Sequence, residues 1–247
     1  MYNWRQRNQD TGRLIFNGND LSEYVAYKVN RPVMAPIEVS TETIPGRHGE
    51  LFRSARLQGY DLSVDVWLMA DNRLEVADVR HRLAAALWTD EPAPLYLPDD
   101  PTRYVLAIVT GETDLGQITD KTAGTITFRV TDPICYGNHN SRVLYDGSSA
   151  SVDAGGTWET YPTVTFKPTM KTSHVSVLNA DTGDKVAVNG TFTVGDEVFI
   201  DMATEHVTHN GATISPTVDS DFFTIKGVTK IVTSGSGATM EWDEAWL

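Results

Sequence analysis

At 247 residues, the chain exceeds one small domain and suits two compact ones, since domains cluster near roughly 100 to 150 residues. Hydrophobic residues make up 40% and charged residues 21%, which excludes extended disorder. Lys and Arg number 20 against 33 Asp and Glu, a formal charge of −13, and a surface of that sign repels phosphate and argues against sequence-specific nucleic-acid binding.

The N-terminus, Met1-Tyr2-Asn3-Trp4-Arg5-Gln6-Arg7, lacks the apolar segment of a secretory signal. No window approaches the ~20 apolar residues that cross a bilayer, so the chain reads as a soluble protein made in a cytoplasm with no membrane insertion. In Leu62–Leu68 apolar residues at every second place put Leu62, Val64, Val66 and Leu68 on one face of a strand. A helix follows over about 72–88, because Val76, Val79, Leu83 and Leu87 recur at helical spacing. Asp71 or Asn72 caps its start, and Asp90, Glu91 and Pro92 end it. Tyr104–Val109 is a continuous apolar run, and Ile126, Phe128 and Val130 alternate again before Asp132-Pro133 closes the first half. Cys135 is the only cysteine, which rules out an intrachain disulfide framework and a cysteine-rich zinc site.

Residues 138–157 are dominated by Asn, Ser, Asp and Gly and read as a linker. Beyond them come short β-branched runs without helical periodicity: 164–166, 175–178, 186–188, 198–200, 206–208, 222–225, 231–233 and 239–242. Such spacing predicts a β-sandwich over 158–247. Asn189-Gly190 and Asn210-Gly211 fall between runs, where both residue types tolerate the positive φ of tight hairpin turns. The expected architecture is mostly β: an α+β N-terminal domain over 1–137, a linker over 138–157, and an antiparallel sandwich over 158–247.

The chemistry-bearing residues do not assemble into a catalytic pattern. No Gly-x-Ser-x-Gly segment occurs, and Ser234-Gly235-Ser236-Gly237-Ala238 lacks the Lys and helix that cradle phosphate, so it reads as a turn. His206 and His209 lie three apart on a strand, where side chains point to opposite faces, which argues against a shared metal ion. Asp99-Asp100 and Asp219-Ser220-Asp221 sit beside Pro98 and ahead of Phe222-Phe223, and suit turns better than acid–base pairs. Trp158, Trp242 and Trp246 are either core and contact residues or a sugar-stacking platform. No enzyme, cofactor or metal is expected.

Taken in order, particular segments resemble the distal tail protein (Dit) family of siphoviruses. The first half matches through Leu14-Ile15-Phe16-Asn17-Gly18-Asn19-Asp20-Leu21-Ser22-Glu23-Tyr24, Ile44-Pro45-Gly46-Arg47-His48-Gly49-Glu50, Pro94-Leu95-Tyr96-Leu97-Pro98-Asp99 and Asp132-Pro133-Ile134-Cys135-Tyr136-Gly137. The second matches through Tyr161-Pro162-Thr163, Gly195-Asp196-Glu197-Val198-Phe199-Ile200-Asp201, Val207-Thr208-His209-Asn210-Gly211 and Asp219-Ser220-Asp221-Phe222-Phe223. The resemblance implies a split β-barrel or sandwich with one helix, like tail-tube proteins, followed by a galectin-like sandwich. It also implies a homohexameric ring in the virion, at the distal end of a long non-contractile tail, assembled in the bacterial host cytoplasm. The expected partners are copies of the chain itself, the tail-tube protein, the tail-tip protein and adhesion or receptor-binding proteins, with DNA passing through the ring.

A closed ring needs two different surface patches that meet. Residues 31–60, with Arg31, Arg47, Arg53 and Arg56 and little amphipathic pattern, are a source for one, and the bland alternative is a solvated hairpin. Arg47, Arg53 and Arg56 are therefore candidate subunit contacts, and Trp158, Trp242 and Trp246 candidate partner or glycan contacts. Two rival functions remain open at this point: a carbohydrate-binding module that touches cell-wall glycan, and the tail-tube subunit itself.

Overall fold

The computed structural model describes residues 12–68, 73–111, 115–116 and 123–247. Asp71 and Asn72, expected as helix caps, lie outside the described residues, as do Met1–Arg7. The chain divides into two compact units, Met1–Cys135 and Tyr136–Leu247.

The first unit contains β1 (Ile15–Phe16), β2 (Asn19–Asp20), β3 (Val25–Asn30), β4 (Ile37–Glu42), β5 (Leu51–Leu57), β6 (Tyr60–Leu68), α1 (Arg73–Leu87), β7 (Ala93–Leu97), β8 (Asp100–Thr110), β9 (Leu115–Gly116) and β10 (Ala123–Val130). Antiparallel pairing runs β3-β6-β10-β8. β8 is shared: Ala107–Thr110 pair with β10, while Asp100–Ala107 pair with β7, which pairs onward to β1. These pairings do not close into a barrel among the described residues.

The alternation in β6 does what the sequence implies. Leu62, Val64 and Val66 are fully buried, and the register sets Val64 opposite Ile126 on one side and Val29 on the other. Phe16 meets Phe128 edge-on, with ring centroids 5.2 Å apart. Each such buried side chain contributes about 1.5–3 kcal/mol. α1 buries Val79, Leu83, Ala86 and Leu87, and Asp78 pairs with Arg82 one turn on at 3.3 Å.

The second unit is a sandwich of two antiparallel sheets. After β11 (Cys135–Leu144) come β12 (Ser149–Asp153), β13 (Thr163–Phe166), β14 (Thr172–Asn179), β15 (Lys185–Phe192), β16 (Val198–Asp201), β17 (His206–His209), β18 (Ala212–Thr213), β19 (Val228–Ser234) and β20 (Ala238–Trp246). One sheet runs β18-β17-β16-β13-β20-β11 and the other β12-β19-β14-β15. Between them lie Phe166, Val175, Val177, Val186, Val188, Phe192, Ile200, Ile231 and Met240, each 0 or 1% exposed.

Several local expectations are corrected. Residues 138–157, expected as a linker, form most of β11 and all of β12. Their polar composition reflects strands with many exposed positions, and Gly155-Gly156 makes a left-handed turn pressed on β20, with Thr157 and Trp158 N–H both donating to Ala245 at 3.0 Å. A side chain at Gly156, φ +71°, would collide with the Ala245 carbonyl. Asn189-Gly190 is not a turn: it lies inside β15, with Asn189 opposite His174. The glycine there leaves room for the Phe192 ring, whose Cζ would sit 2.8 Å from an added Cβ. Phe222–Ile225 is not a strand; Phe223 and Ile225 are buried, and only Ile225 forms a bridge, to Thr160. Asn210-Gly211 is the expected turn, with φ of +51° and +79°, and joins His209 to its cross-strand partner Ala212.

Candidate functional site

Among the described residues, the hairpin β4–β5 pairs only with itself. It opens and closes on the Gln58 N–H to Pro36 carbonyl bond of 2.8 Å. Arg31, just before it, is held at the base: one nitrogen lies 3.3 Å from Cys135 Sγ, and another 3.7 Å from Asp99 and 3.9 Å from Asp100.

The two strands are in register from Ile37 opposite Leu57 to Ser40 opposite Ser54, then shift so that Thr41 faces Phe52. Arg53 is the extra residue of a β-bulge, which bends a strand locally and resets its alternation. Because of that reset, Phe52 joins Ile37, Val39, Ala55 and Leu57 on one face. A direct continuation would have placed Arg53 there. This face is apolar and uncovered: Ile37 is 47%, Val39 54% and Phe52 61% exposed.

The opposite face is polar and internally paired. Glu38 accepts from Arg56 at 2.8 Å and from Gln58 at 2.7 Å, and Arg53 pairs with Glu42. Two of the three candidate arginines thus brace their own hairpin. Arg47 differs: it sits in the tip between Gly46 and Gly49, whose φ values of +81° and +80° turn the chain, and its guanidinium has no partner among the described residues.

The three tryptophans do not form a shared platform. Trp242 is 7% exposed and belongs to the sandwich core, with its indole N–H donating to the Ala154 carbonyl at 3.1 Å. That burial overturns its expectation as a glycan contact. Trp158 is half-buried, with Lys226 Nζ 5.5 Å from its ring centroid, and Trp246 is half-buried at the end of β20.

The ionisable groups serve local structure. Asp196 is held at about 2, first by the Asn210 side-chain amide and then by the backbone and hydroxyl of Thr193, at 2.9, 2.6 and 2.9 Å. Asp219 is lowered by Thr217 and Lys185. Burial pushes the Cys135 thiol up, against the opposing pull of Arg31, so little reactive thiolate forms at neutral pH. His206 contacts Thr213 Oγ1 at 2.9 Å, whereas His209 lies 3.6 Å from Asp196 and edge-on to Phe192. Among the described residues, no three His, Cys, Asp or Glu side chains converge on a metal position.

Sequence reading missed the apolar face of the hairpin. Its signal was present as Ile37-Glu38-Val39-Ser40-Thr41, but the bulge that aligns Phe52 with it leaves no trace in the alternation. Among the described residues, no helix is long and apolar enough to cross a membrane.

A β-rich unit carrying α1, followed by an antiparallel β-sandwich, defines a modular protein of two β units. Residues 17–130 match the phage tail protein RIFT-related domain, and residues 155–246 match the siphovirus-type tail component, C-terminal domain. The chain belongs to the distal tail protein family of siphoviruses, structural proteins of the phage tail and baseplate. Among solved structures it is similar to SPP1 Dit (gp 19.1), described as a paradigm of the hub adsorption apparatus in phages that infect Gram-positive bacteria. The two share 21% identity over 95% of this chain and 99% of that one, with a TM-score of 0.83. It is also similar to a chain of the phage p2 baseplate in its activated conformation with Sr, at 9% identity over 95% and 91%, TM-score 0.55. No curated protein matches the chain by sequence.

Proposed function

We propose that the protein forms a homohexameric ring at the distal end of a long non-contractile tail. There it joins the tail-tube protein above to the tail tip and adhesion proteins below, and its open centre passes DNA. The subunits assemble in the bacterial host cytoplasm. The observation that carries this reading is the ordered match of both units to the two tail-component domains.

Two physical features support it. The charge of −13 disfavours retention of DNA in a channel, consistent with acidic groups around the opening. The hairpin that carries Arg47, Arg53 and Arg56 offers one of the two unlike patches that a ring interface requires. The core position of Trp242 takes one of three tryptophans from the glycan-binding reading, and the second sandwich favours the ring reading over a plain tail-tube subunit.

The test is light scattering and negative-stain imaging of the purified full chain. A six-fold ring with a mass six times that of the subunit is expected, and Arg47→Glu should weaken it. A lone subunit at every concentration would remove the proposal.

A further inference from the structure

Three Asn-Gly steps occur in the chain, at Asn17-Gly18, Asn189-Gly190 and Asn210-Gly211. An asparagine followed by glycine is the least hindered place for a backbone nitrogen to attack a side-chain carboxamide, because glycine has no Cβ to shield its N–H. The fold sets the three steps in different surroundings.

Asn17-Gly18 and Asn210-Gly211 are nearly the same turn. Each closes a hairpin, with Phe16 opposite Asn19 in one and His209 opposite Ala212 in the other. The φ values are +48° and +75° at Asn17 and Gly18, against +51° and +79° at Asn210 and Gly211, and open space surrounds both glycines. The side chains differ. The Asn210 carboxamide is held at both ends: its oxygen accepts from the Glu197 N–H at 2.8 Å, and its nitrogen donates to Asp196 at 2.9 Å. The Asn17 carboxamide is exposed and has no partner among the described residues. Only its backbone is engaged, with the N–H donating to the Pro94 carbonyl at 2.9 Å and the carbonyl accepting from the Asn19 side chain at 3.3 Å. Asn189-Gly190 lies inside β15, where Asn189 pairs with His174 in the ladder and its Oδ1 lies 2.9 Å from His174 Nδ1.

We propose that Asn17 is a modification site, the asparagine at which the folded chain deamidates first. The Gly18 nitrogen bonds to Cγ of Asn17 while the bond from Cγ to the amide nitrogen breaks. That nitrogen leaves as ammonia with the proton from the Gly18 N–H, and a succinimide ring remains. Water then opens the ring at either carbonyl and yields aspartate or isoaspartate. Both products add a negative charge to the turn. Isoaspartate also routes the main chain through the side-chain carbon, which lengthens the turn beside the Phe16–Phe128 contact.

The carboxamide must rotate onto the glycine nitrogen before the ring can close. At Asn210 two hydrogen bonds have to open first, and at Asn17 none, a difference that for bonds of ordinary net strength corresponds to about tenfold in rate. At Asn189 the strand ladder itself has to part. The inference stands on these contacts alone and does not depend on the ring reading.

The experiment ages the purified full chain at mildly alkaline pH and follows it by peptide mass spectrometry. Trypsin releases Asn17 in Leu14–Lys28 and the other two asparagines in Val186–Lys226, where fragment ions separate Asn189 from Asn210. The amide-to-acid mass gain should appear at Asn17 about tenfold faster than at Asn210 or Asn189, and isoaspartyl methyltransferase should label Leu14–Lys28 in the aged sample. In denaturant the three sites should react at similar rates. Asp196→Ala, which frees the Asn210 amide nitrogen, should raise the Asn210 rate in a chain whose melting curve shows that it is folded. Equal rates at Asn17 and Asn210 in the folded chain would overturn the proposal, as would a first mass gain at Asn189 or Asn19. A lead for Asn17 that persists undiminished in denaturant would also overturn it, because neighbouring sequence and not the free carboxamide would then set the order.

Discussion

β14–β15 in the second unit and β4–β5 in the first are both antiparallel strand pairs, yet they end in opposite states. In β14–β15, Val175, Val177, Val186 and Val188 are fully buried beneath a second sheet. In β4–β5, the apolar face carrying Val39 and Phe52 stays more than half exposed, although its other face is zipped by ion pairs as in any finished hairpin. Alternation of residue types therefore determines that a strand has an apolar face. It does not determine whether the covering layer belongs to the same chain. Where the cover is present the unit is a complete core, and where it is missing the surface is available for assembly.

The largest expected effect lies on the covered side of this comparison. Phe166 is fully buried in the sandwich core, and Phe166→Ala should lower stability by about 3–5 kcal/mol through lost burial and the cavity left behind. Denaturant titration of the dissociated chain measures it. The matching variant Phe52→Ala should stay within about 0.5 kcal/mol, as expected for surface positions without a packing role. Equal losses would mean that the hairpin face is covered within its own chain after all, and the contrast would collapse.

Legibility in the sequence follows the same division. The cores of β6, β10, β16 and β20 were readable, because Val64, Phe128, Ile200 and Met240 repeat every second residue under a covering layer. α1 was readable from Val79, Leu83 and Leu87. The boundary region 138–157 was not, since β11 and β12 expose many of their positions and their Ser, Asn and Asp content mimics a linker. Asn189-Gly190 misled for a related reason: Gly190 is small to make room for Phe192, not to turn the chain, and composition does not distinguish these uses. At the candidate interface the arginines drew attention as charges. Arg53 and Arg56 proved to be internal braces, and the informative feature, the Arg53 bulge that brings Phe52 onto the apolar face, depends on register, which single-chain patterning does not encode.

A smaller effect is expected from acid. The Asn210-Gly211 turn that supports the covered sheet is latched by Asp196, whose pKa falls from 3.8 to about 2 in the fold, first through the Asn210 amide. A lowered folded-state pKa means that the stabilisation is complete above the unfolded value and is lost as pH falls through the window from 3.8 to about 2. Melting temperature followed across that window should decline less steeply for Asp196→Asn than for the wild type. Parallel curves would show that the latch contributes nothing to the pH dependence. No corresponding acid response is expected from the apolar face of the hairpin, since Val39 and Phe52 do not titrate.

The smallest effect separates bracing from contact within the hairpin itself. Arg56 and Glu38 are exposed, with side-chain accessibilities of 74% and 54% at a separation of 2.8 Å. Solvent and salt screen such a pair, and exposed ion pairs contribute about 0–1 kcal/mol. Arg56→Gln should therefore leave the subunit's melting temperature nearly unchanged. It should also leave assembly intact, because Arg56 is already paired with Glu38 of its own hairpin, whereas Arg47 at the tip has no partner among the described residues. Sedimentation at moderate and high salt reads both points, and Arg47→Glu serves as the contrasting variant. If Arg56→Gln dissolved the assembly as fully as Arg47→Glu, the guanidinium would be bonding across the subunit boundary. The polar face would then be the buried one, and the apolar face would have to meet a different partner.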